Sequence, residues 1–162
     1  MQGVSDLATT TQTVFGAGAA RAPLMLIGEQ PGAQEDIQGK PFVGPAGQLL
    51  RQLLDQAGIG PGEVYPTNTV KHFKYEPPGK ARLHKRADAA EHAACRPWLA
   101  AELLRITPRV IVCLGALAAQ TLFGRGLPPH PRTGRLAHRR FPCLSEIDMA
   151  PLRHPAHAWP RA

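Results

Sequence analysis

The chain has 162 residues, and 43% of them are hydrophobic, as in ordinary globular proteins. This length suits a single domain over residues 1–162 and is too short for two, and no run of eighteen apolar residues exists to span a membrane. The first residues lack the charged start and apolar stretch of a secretory signal, so we expect a cytoplasmic protein. The formal net charge of +7 favours a polyanionic partner, because Lys and Arg displace counterions from a phosphate backbone.

Strands and helices are predicted to alternate along the chain. The predicted elements are an arm over 1–22, a strand over 24–27, a helix over 47–57 that stops at Gly58, a strand and its outlet over 64–70, an irregular basic loop over 73–86, a helix over 87–105, a strand over 109–114, a helix over 116–122 and a last strand near 148–152. Such alternation implies a parallel sheet covered on both faces. We therefore expect an α/β fold with three layers, α/β/α, around a central, mostly parallel four-stranded sheet.

Two glycine-containing loops follow the first predicted strand, Gly28-Glu-Gln-Pro-Gly32 and Gly39-Lys-Pro-Phe-Val-Gly44. In a parallel α/β sheet, loops at the carboxyl ends of strands form the ligand site. Glycines allow the backbone to approach a ligand closely, and exposed amides bind anions. Phe42 is unusual for a loop: it marks a stacking surface, or it is a loop anchor docked in the core.

Basic side chains concentrate between the second strand and the following helix. Six of them fall within sixteen residues, together with His72 and His84: Lys71, Lys74, Lys80, Arg82, Lys85 and Arg86. Long loops inside compact domains are often functional, and 73–86 is predicted to be one. The cysteines Cys95, Cys113 and Cys143 form no Cys-x-x-Cys pair, and Cys113 lies in an apolar run that predicts burial.

Several of these segments occur together, in order, in one known family. The matching blocks are Thr11-Gln-Thr-Val-Phe-Gly16, Met25-Leu-Ile-Gly-Glu-Gln-Pro-Gly32, Glu35-Asp36, Gly39-Lys-Pro-Phe-Val-Gly-Pro-Ala-Gly47, Thr67-Asn-Thr-Val-Lys71, Ala94-Cys-Arg-Pro-Trp-Leu99, Thr107-Pro-Arg-Val-Ile-Val112, Leu114-Gly115 and His154-Pro155. They cover nearly the whole chain, which resembles the iron–sulfur (family 4) uracil-DNA glycosylases. The Gly-Glu-Gln-Pro-Gly form, the run at 70–74 and Lys80-Ala-Arg-Leu-His84 are similar to the UdgX subgroup, which crosslinks covalently to uracil-DNA.

The resemblance implies excision of uracil from single- or double-stranded DNA by a monomer. Phe42 matches the residue that stacks on the base, Asn68 the amide that reads the uracil edge, and Glu29 the carboxylate near the sugar. His154 matches the donor to the departing base, helped by backbone amides near Gln30 and Gly32. Other interpretations of single residues stay open, since Asn68 also suits a turn cap and His154 an exposed tail.

His84 matches the histidine that attacks the sugar in the UdgX subgroup. Neutral imidazole is a competent nucleophile near neutral pH, because its ordinary pKa is about 6.5. The resemblance implies phosphate contacts for the flanking Lys80, Arg82, Lys85 and Arg86, although Ala81 stands where the subgroup usually has a basic residue. The alternatives are a product-releasing glycosylase in which His84 is idle and a degenerate homologue that binds DNA without catalysis.

The family's 4Fe–4S cluster is the point at which the chain departs from the resemblance. His72 and Cys95 match two ligand positions, but residues 1–4 stand where the family has its N-terminal Cys-x-x-Cys. Two ligands do not hold a cluster that normally takes four. We expect either no cluster or a chain truncated or altered at its start. Ala156 stands where the family has the serine after His-Pro, and we expect the family's closing helix to be missing.

Overall fold

The structure is a computed structural model that describes residues 11–76 and 83–124, with only the backbone course at residues 75, 76, 83 and 84. The labelled elements, in chain order, are β1 (Leu24–Gly28), α1 (Ala33–Gln38), α2 (Pro45–Gln56), β2 (Val64–Asn68), β3 (Tyr75–Glu76), β4 (Leu83–His84), α3 (Ala89–Ile106), β5 (Val110–Cys113) and α4 (Ala116–Phe123). A short 3₁₀ helix, Pro61–Glu63, precedes β2. Within the described ranges, no helix combines the length and the apolar character needed to cross a membrane.

A parallel sheet with the strand order β2-β1-β5 forms the centre of the fold. This confirms the predicted α/β class with a parallel sheet. The register pairs Gly28 at the end of β1 with Asn68 at the end of β2, and Ile27 with Cys113 of β5. Residues 11–76 and 83–124 hold three parallel strands, whereas the fourth strand predicted near 148–152 lies outside the described residues.

The main hydrophobic core lies between the sheet and the two helices on either side of β5. Its buried members are Ala22, Met25, Ile27, Tyr65, Leu99, Leu103, Ile106, Ala118 and Leu122. The central strand β1 is a continuous apolar run because a strand flanked on both edges and covered on both faces exposes almost nothing. Cys113, predicted to be buried, is half-buried at the margin of this core, and its partial burial raises the pKa of its thiol to about 11.

The two longer helices begin close to where the sequence places them, and local chemistry sets their ends. The α2 helix begins at Pro45, a favoured first position, and Gly58 follows its end with a left-handed φ of 71°. The α3 helix begins at Ala89, not at residue 87, because Asp88 caps it. The Asp88 carboxylate accepts hydrogen bonds from the amides of Ala90 and Glu91.

The helix α1 was not predicted, since its six residues are too few to show helical periodicity. It is bounded by glycines, and Gly39 ends it with a left-handed φ of 67°. Its buried residues are the acidic Glu35 and Asp36 and not an apolar stripe. A short helix that buries carboxylates leaves no hydrophobic pattern in the sequence.

The prediction of an irregular loop over 73–86 is wrong at both ends of that segment. Tyr75 and Glu76 pair with His84 and Leu83 in a short antiparallel ladder, and the Lys85 amide extends it by donating to the Lys74 carbonyl. Pro77 explains part of the error, because a proline restricts its own position but pushes the residue before it toward extended structure. The basic segment therefore enters and leaves through paired strands.

Residues 11–23 run along β2 without forming a helix or strand of their own. Val14 is fully buried, and its amide donates to the Lys71 carbonyl at 2.8 Å, while the Ala17 amide donates to the Pro66 carbonyl at 3.1 Å. The described part of the predicted arm is thus packed against the outlet of β2.

Candidate active site at the carboxyl edge of the sheet

The loops that follow β1 and β2 are bonded directly to each other. The Thr69 amide donates to the Gly28 carbonyl, and the Val70 amide and Thr69 hydroxyl both donate to the Glu29 carbonyl, at 2.7–2.9 Å. These bonds continue the β1–β2 pairing past the ends of the strands. They hold Glu29 and Asn68, two predicted site residues, on neighbouring loops of the same sheet edge.

Gly28 is the point at which two other predicted site residues meet. A Cβ atom added to Gly28 would lie 2.5 Å from Asn68 Oδ1 and 2.8 Å from Phe42 Cζ, both closer than real Cβ contacts. The absence of a side chain at Gly28 therefore lets the amide and the aromatic ring approach the same stretch of backbone. Asn68 is buried and Phe42 half-buried, so the ring is not wholly docked in the core.

Phe42 adopts a backbone conformation that is uncommon for an aromatic residue. Its φ of 54° lies in the left-handed region, which costs on the order of 1–2 kcal/mol for a residue with a Cβ. Two contacts hold it there: Arg51 Nη1 donates to the Phe42 carbonyl at 2.9 Å, and any side chain at Gly47 would collide with that same carbonyl. Strain of this kind is found where the surrounding structure fixes a side chain for function.

Glu35 joins the two glycine loops and was not predicted to do so. Its carboxylate accepts from the Gly44 amide at 2.8 Å and from the Gly32 amide at 3.1 Å. The carboxylate thereby fixes the loop carrying Phe42 relative to the loop carrying Glu29. Because the Gly32 amide is bonded to Glu35, that amide is already engaged in this structure.

A buried ion pair, Lys71 with Glu102, is bonded to the backbone of Asn68. Lys71 Nζ donates to Glu102 Oε2 at 2.6 Å, to the Asn68 carbonyl at 2.7 Å and to Thr67 Oγ1 at 2.8 Å, and both charged side chains are fully buried. The other Glu102 oxygen accepts from the Gly16 amide. Burial lowers the pKa of Lys71, and the Glu102 carboxylate opposes this shift. The pair ties α3 and the N-terminal segment to the backbone that carries Asn68.

The end of the basic segment lies against the loop that follows β1. Arg86 Nε is 3.8 Å from Glu29 Oε1, although the Arg86 side chain is exposed, and Lys85 is exposed beside it. His84 belongs to β4, two residues before Arg86. Three further predicted residues lie outside the described residues: Lys80, Arg82 and His154.

The two predicted cluster ligands are brought together. Cys95 Sγ lies 3.9 Å from His72 Nδ1, and His72 Nε2 lies 3.1 Å from Thr13 Oγ1. Burial raises the pKa of the Cys95 thiol and lowers that of His72, so both groups favour their neutral forms. Residues 11–76 and 83–124 contain no group of three or more metal-binding side chains. The pair supplies half of the ligands that a 4Fe–4S cluster takes, so the described residues do not fit the cluster.

An open cavity of about 420 Å³ lies at the opposite edge of the sheet, where β1 and β5 begin. Its lining includes the exposed arginines Arg21, Arg105 and Arg109, and none of the predicted site residues. Ligand sites of parallel sheets lie at the carboxyl edge. The convergence of Glu29, Phe42 and Asn68 therefore outweighs the size of this cavity in locating the candidate site.

Comparison with known proteins gives a consistent family. The family model of the uracil DNA glycosylase superfamily matches residues 15–160. The type-4 uracil-DNA glycosylase of Archaeoglobus fulgidus is 40% identical over 115 residues, which are 71% of this chain and 54% of that protein. Those of Pyrobaculum aerophilum and Thermotoga maritima are 39% and 42% identical over 109 and 108 residues, each 67% of this chain and 52% and 53% of the relative. The chain spans about half the length of these relatives.

Proposed function

Because the chain belongs to the uracil DNA glycosylase superfamily, we propose that it excises uracil from DNA by breaking the bond between the base and the deoxyribose. The observation that carries this proposal is the meeting of Phe42 and Asn68 over Gly28 at the carboxyl edge of the sheet. A flipped or single-stranded base is read by stacking on an aromatic ring and by hydrogen bonds to its edge. An aromatic ring and a buried amide, held together by the backbone, meet both needs.

Bond cleavage leaves negative charge on the base and an oxocarbenium-like sugar. Asn68 binds the uracil edge, and His154 with backbone amides near Gln30 stabilises the departing anion, since the Gly32 amide is bonded to Glu35. Glu29 lies on the loop bonded to that of Asn68, and its carboxylate orients water or stabilises the sugar cation. The contact between Glu29 and Arg86 supports a site in which the carboxylate faces the DNA-binding segment.

We propose further that His84 captures the sugar after the base has left, as the resemblance to the UdgX subgroup implies. The glycosidic electron pair leaves with uracil N1, and a neutral imidazole nitrogen of His84 donates its lone pair to C1′. The imidazolium formed loses its ring proton, and the uracil anion gains one, so no water is consumed. Lys80, Arg82, Lys85 and Arg86 bind the flanking phosphates. The short distance in sequence from β4 to the Glu29 contact supports this assignment.

A 4Fe–4S cluster at His72 and Cys95 is implied by the family resemblance alone, and it takes no part in the proposed chemical steps. Cys95 Sγ and His72 Nδ1 are neighbours, 3.9 Å apart, but two donors do not complete a ligand set that normally takes four. A 4Fe–4S group there would tie the outlet of β2 to α3. Iron analysis of the purified protein tests this directly, and iron above trace level with sulfide in equal amount would establish the cluster.

Denaturing gel electrophoresis after incubation with uracil-containing single-stranded DNA tests the function. The expected result is a covalent protein–DNA band, with uracil release, that is lost in His84→Ala. Abasic DNA without a band would contradict the capture and leave a product-releasing glycosylase. Neither band nor uracil release, with DNA binding retained, would contradict catalysis and favour a DNA-binding homologue. Thymine-containing DNA of the same sequence is the matched control, and it should give neither product.

A further inference from the structure

The open cavity at the amino edge of the sheet, where β1 and β5 begin, takes no part in the proposed excision of uracil. Three arginines line it, each from a different segment: Arg21 before β1, Arg105 in the last turn of α3 and Arg109 before β5. We propose that this cavity binds a nucleoside phosphate, with the arginines on the phosphate groups and the apolar wall of the cavity against the base. The proposed site is separate from the uracil pocket and does not depend on it.

The three arginines carry positive charge that the described residues leave unneutralised. The salt bridges between described residues are formed by Lys71, Lys74 and Arg86, and by none of these three. Among the described residues that line the cavity, none is acidic. Guanidinium groups bind phosphate oxygens through paired N–H donors, and cations gathered in a cleft concentrate anions from solution. The cavity is therefore suited to a phosphate-bearing anion.

The C-terminus of α3 opposes this charge and has to be weighed against it. It presents about half a negative charge, because the last carbonyls of a helix lack partners within the helix. Arg105 offsets that charge from the last turn, so helix stability alone would explain its position. Arg21 and Arg109 belong to no helix, and that explanation does not extend to them. With three arginines against the helix terminus, a net charge of about +2.5 remains at the cavity.

The walls of the cavity are held by backbone bonds and by the core. The Pro23 carbonyl accepts from the amides of Arg109 and Val110, at 2.9 and 3.0 Å, and these bonds join the segment before β1 to the segment before β5. Ala22 and Ile106 line the cavity and are also buried members of the main hydrophobic core. Binding therefore has to order the arginine side chains and not the backbone, which limits its entropic cost.

The size and the mixed lining of the cavity favour a nucleoside phosphate over a simple ion. Its volume of about 420 Å³ is more than one phosphate group fills, and it lies within the range of about 300–1,000 Å³ for small-molecule pockets. Ala20, Ala22, Pro23 and Ile106 supply an apolar wall. The planar guanidinium group also stacks on aromatic rings, so one arginine can contact the base while the others bind phosphate.

The phosphates of a DNA strand have the same chemistry, but the position of the cavity favours a free ligand. The five residues of β1 separate the cavity from the carboxyl edge by roughly 15 Å. Lys85 and Arg86, the described residues proposed to bind DNA, lie at that carboxyl edge, where Arg86 contacts Glu29. A strand bound there would have to pass around the sheet to reach the three arginines.

The test is the binding of ADP by the full chain, measured by isothermal titration calorimetry at physiological salt, which screens weak surface attraction. Arg105→Gln and Arg109→Gln each remove one guanidinium from the cavity. Lys40→Gln is the matched control, because it removes an exposed positive charge that does not line the cavity. NMR shifts of the Ala22 and Thr107 backbone amides locate the ligand. Inorganic pyrophosphate and a short oligothymidylate, titrated in the same way, separate phosphate alone and DNA from the nucleoside phosphate.

We expect ADP to shift the Ala22 and Thr107 amides, and each arginine variant to weaken its binding by about tenfold or more, the worth of one charge-assisted hydrogen bond. Lys40→Gln should bind ADP as the wild type does. No binding, shifts confined to amides outside the cavity, or an equal loss in Lys40→Gln would overturn the site. Pyrophosphate bound as tightly as ADP would overturn the contact with the base. Larger shifts of the two amides with oligothymidylate than with ADP would overturn the free ligand and place a DNA strand in the cavity.

Discussion

The loops that carry Glu29, Phe42 and Asn68 differ from the basic segment that carries His84 in how they are held. The first group is held by buried charged side chains. The Glu35 carboxylate bonds to both glycine loops, and Lys71, paired with Glu102, donates to the Asn68 carbonyl. The basic segment is exposed at Lys85 and Arg86, and contacts of Gln30 and Arg86 connect it to the loop after β1.

This difference indicates which part of the molecule suits base recognition and which suits binding of the DNA backbone. Recognition of a base edge depends on donors and acceptors held to within a fraction of an ångström, and buried, fully bonded groups provide that. Phosphate contacts tolerate displacement, because the attraction is electrostatic and not directional. The rigid loops suit base recognition, and the exposed segment suits DNA backbone binding, with one anchored residue beside the proposed nucleophile.

The largest expected effect comes from breaking the ion pair behind Asn68. Glu102→Leu should lower the free energy of unfolding by about 3–5 kcal/mol, because it leaves the Lys71 ammonium buried without its partner. Urea denaturation measures this loss. The double variant Lys71→Met with Glu102→Leu is the control, and it should recover much of the stability. A single variant no less stable than the double would contradict the role assigned to the pair.

Gly28→Ala sharpens the comparison at the base-recognition loops. The added methyl group must displace Asn68 Oδ1 or the Phe42 ring, so uracil excision should fall by about a hundredfold. The accompanying loss in stability should be about 1–3 kcal/mol, as for other overpacked sites. Single-turnover release of uracil and thermal unfolding give the two quantities. Gly62→Ala is the matched control, since a Cβ there meets nothing within 4 Å. Excision at the wild-type rate in Gly28→Ala would contradict the proposed uracil pocket.

Glu35→Gln probes the tie between the two glycine loops. The glutamine accepts from one of the amides of Gly32 and Gly44, and its NH₂ then faces the other, at a cost of about 1–3 kcal/mol. Chemical denaturation measures this cost, and excision should fall with it as Phe42 loses its fixed position. The control is Glu63→Gln, an exposed carboxylate with a bond to the Gly60 amide, which should change stability by less than about 0.5 kcal/mol. Equal effects of the two substitutions would contradict the tie.

Arg86→Ala tests the other side of the comparison and should have the smallest effect on the fold. The side chain is exposed, so thermal unfolding should be unchanged within error. Binding to uracil-containing DNA should weaken, and its dependence on salt concentration should fall by about one unit of slope. Fluorescence anisotropy at several salt concentrations measures both. Arg21→Ala, at the opposite edge of the sheet, is the control, and a loss of slope there equal to that of Arg86→Ala would place DNA elsewhere on the surface.

Local patterns along the chain predicted much of the fold. Three elements were predicted correctly because their structure depends on nearby residues in the sequence. They are the strand in the apolar run over 24–27, the helix after Gly47 and the strand over 109–114. The short helix α1 and the β3–β4 ladder were not predicted, because neither has a periodic pattern of apolar residues. The prediction of a site at Glu29, Phe42 and Asn68 came from the order in which these residues occur and not from any spacing.

By itself, the sequence determined the α/β class, the family and the residues expected at a uracil pocket, because periodicity and ordered blocks are local properties of a chain. Only the tertiary structure decided what holds those residues in place. Lys71 meets Glu102 from 31 positions away, and Gln30 reaches the backbone at Lys85 and Ala87 from more than fifty. Contacts between residues so far apart in the sequence arise from how strands and helices pack, and the local sequence gives no sign of them.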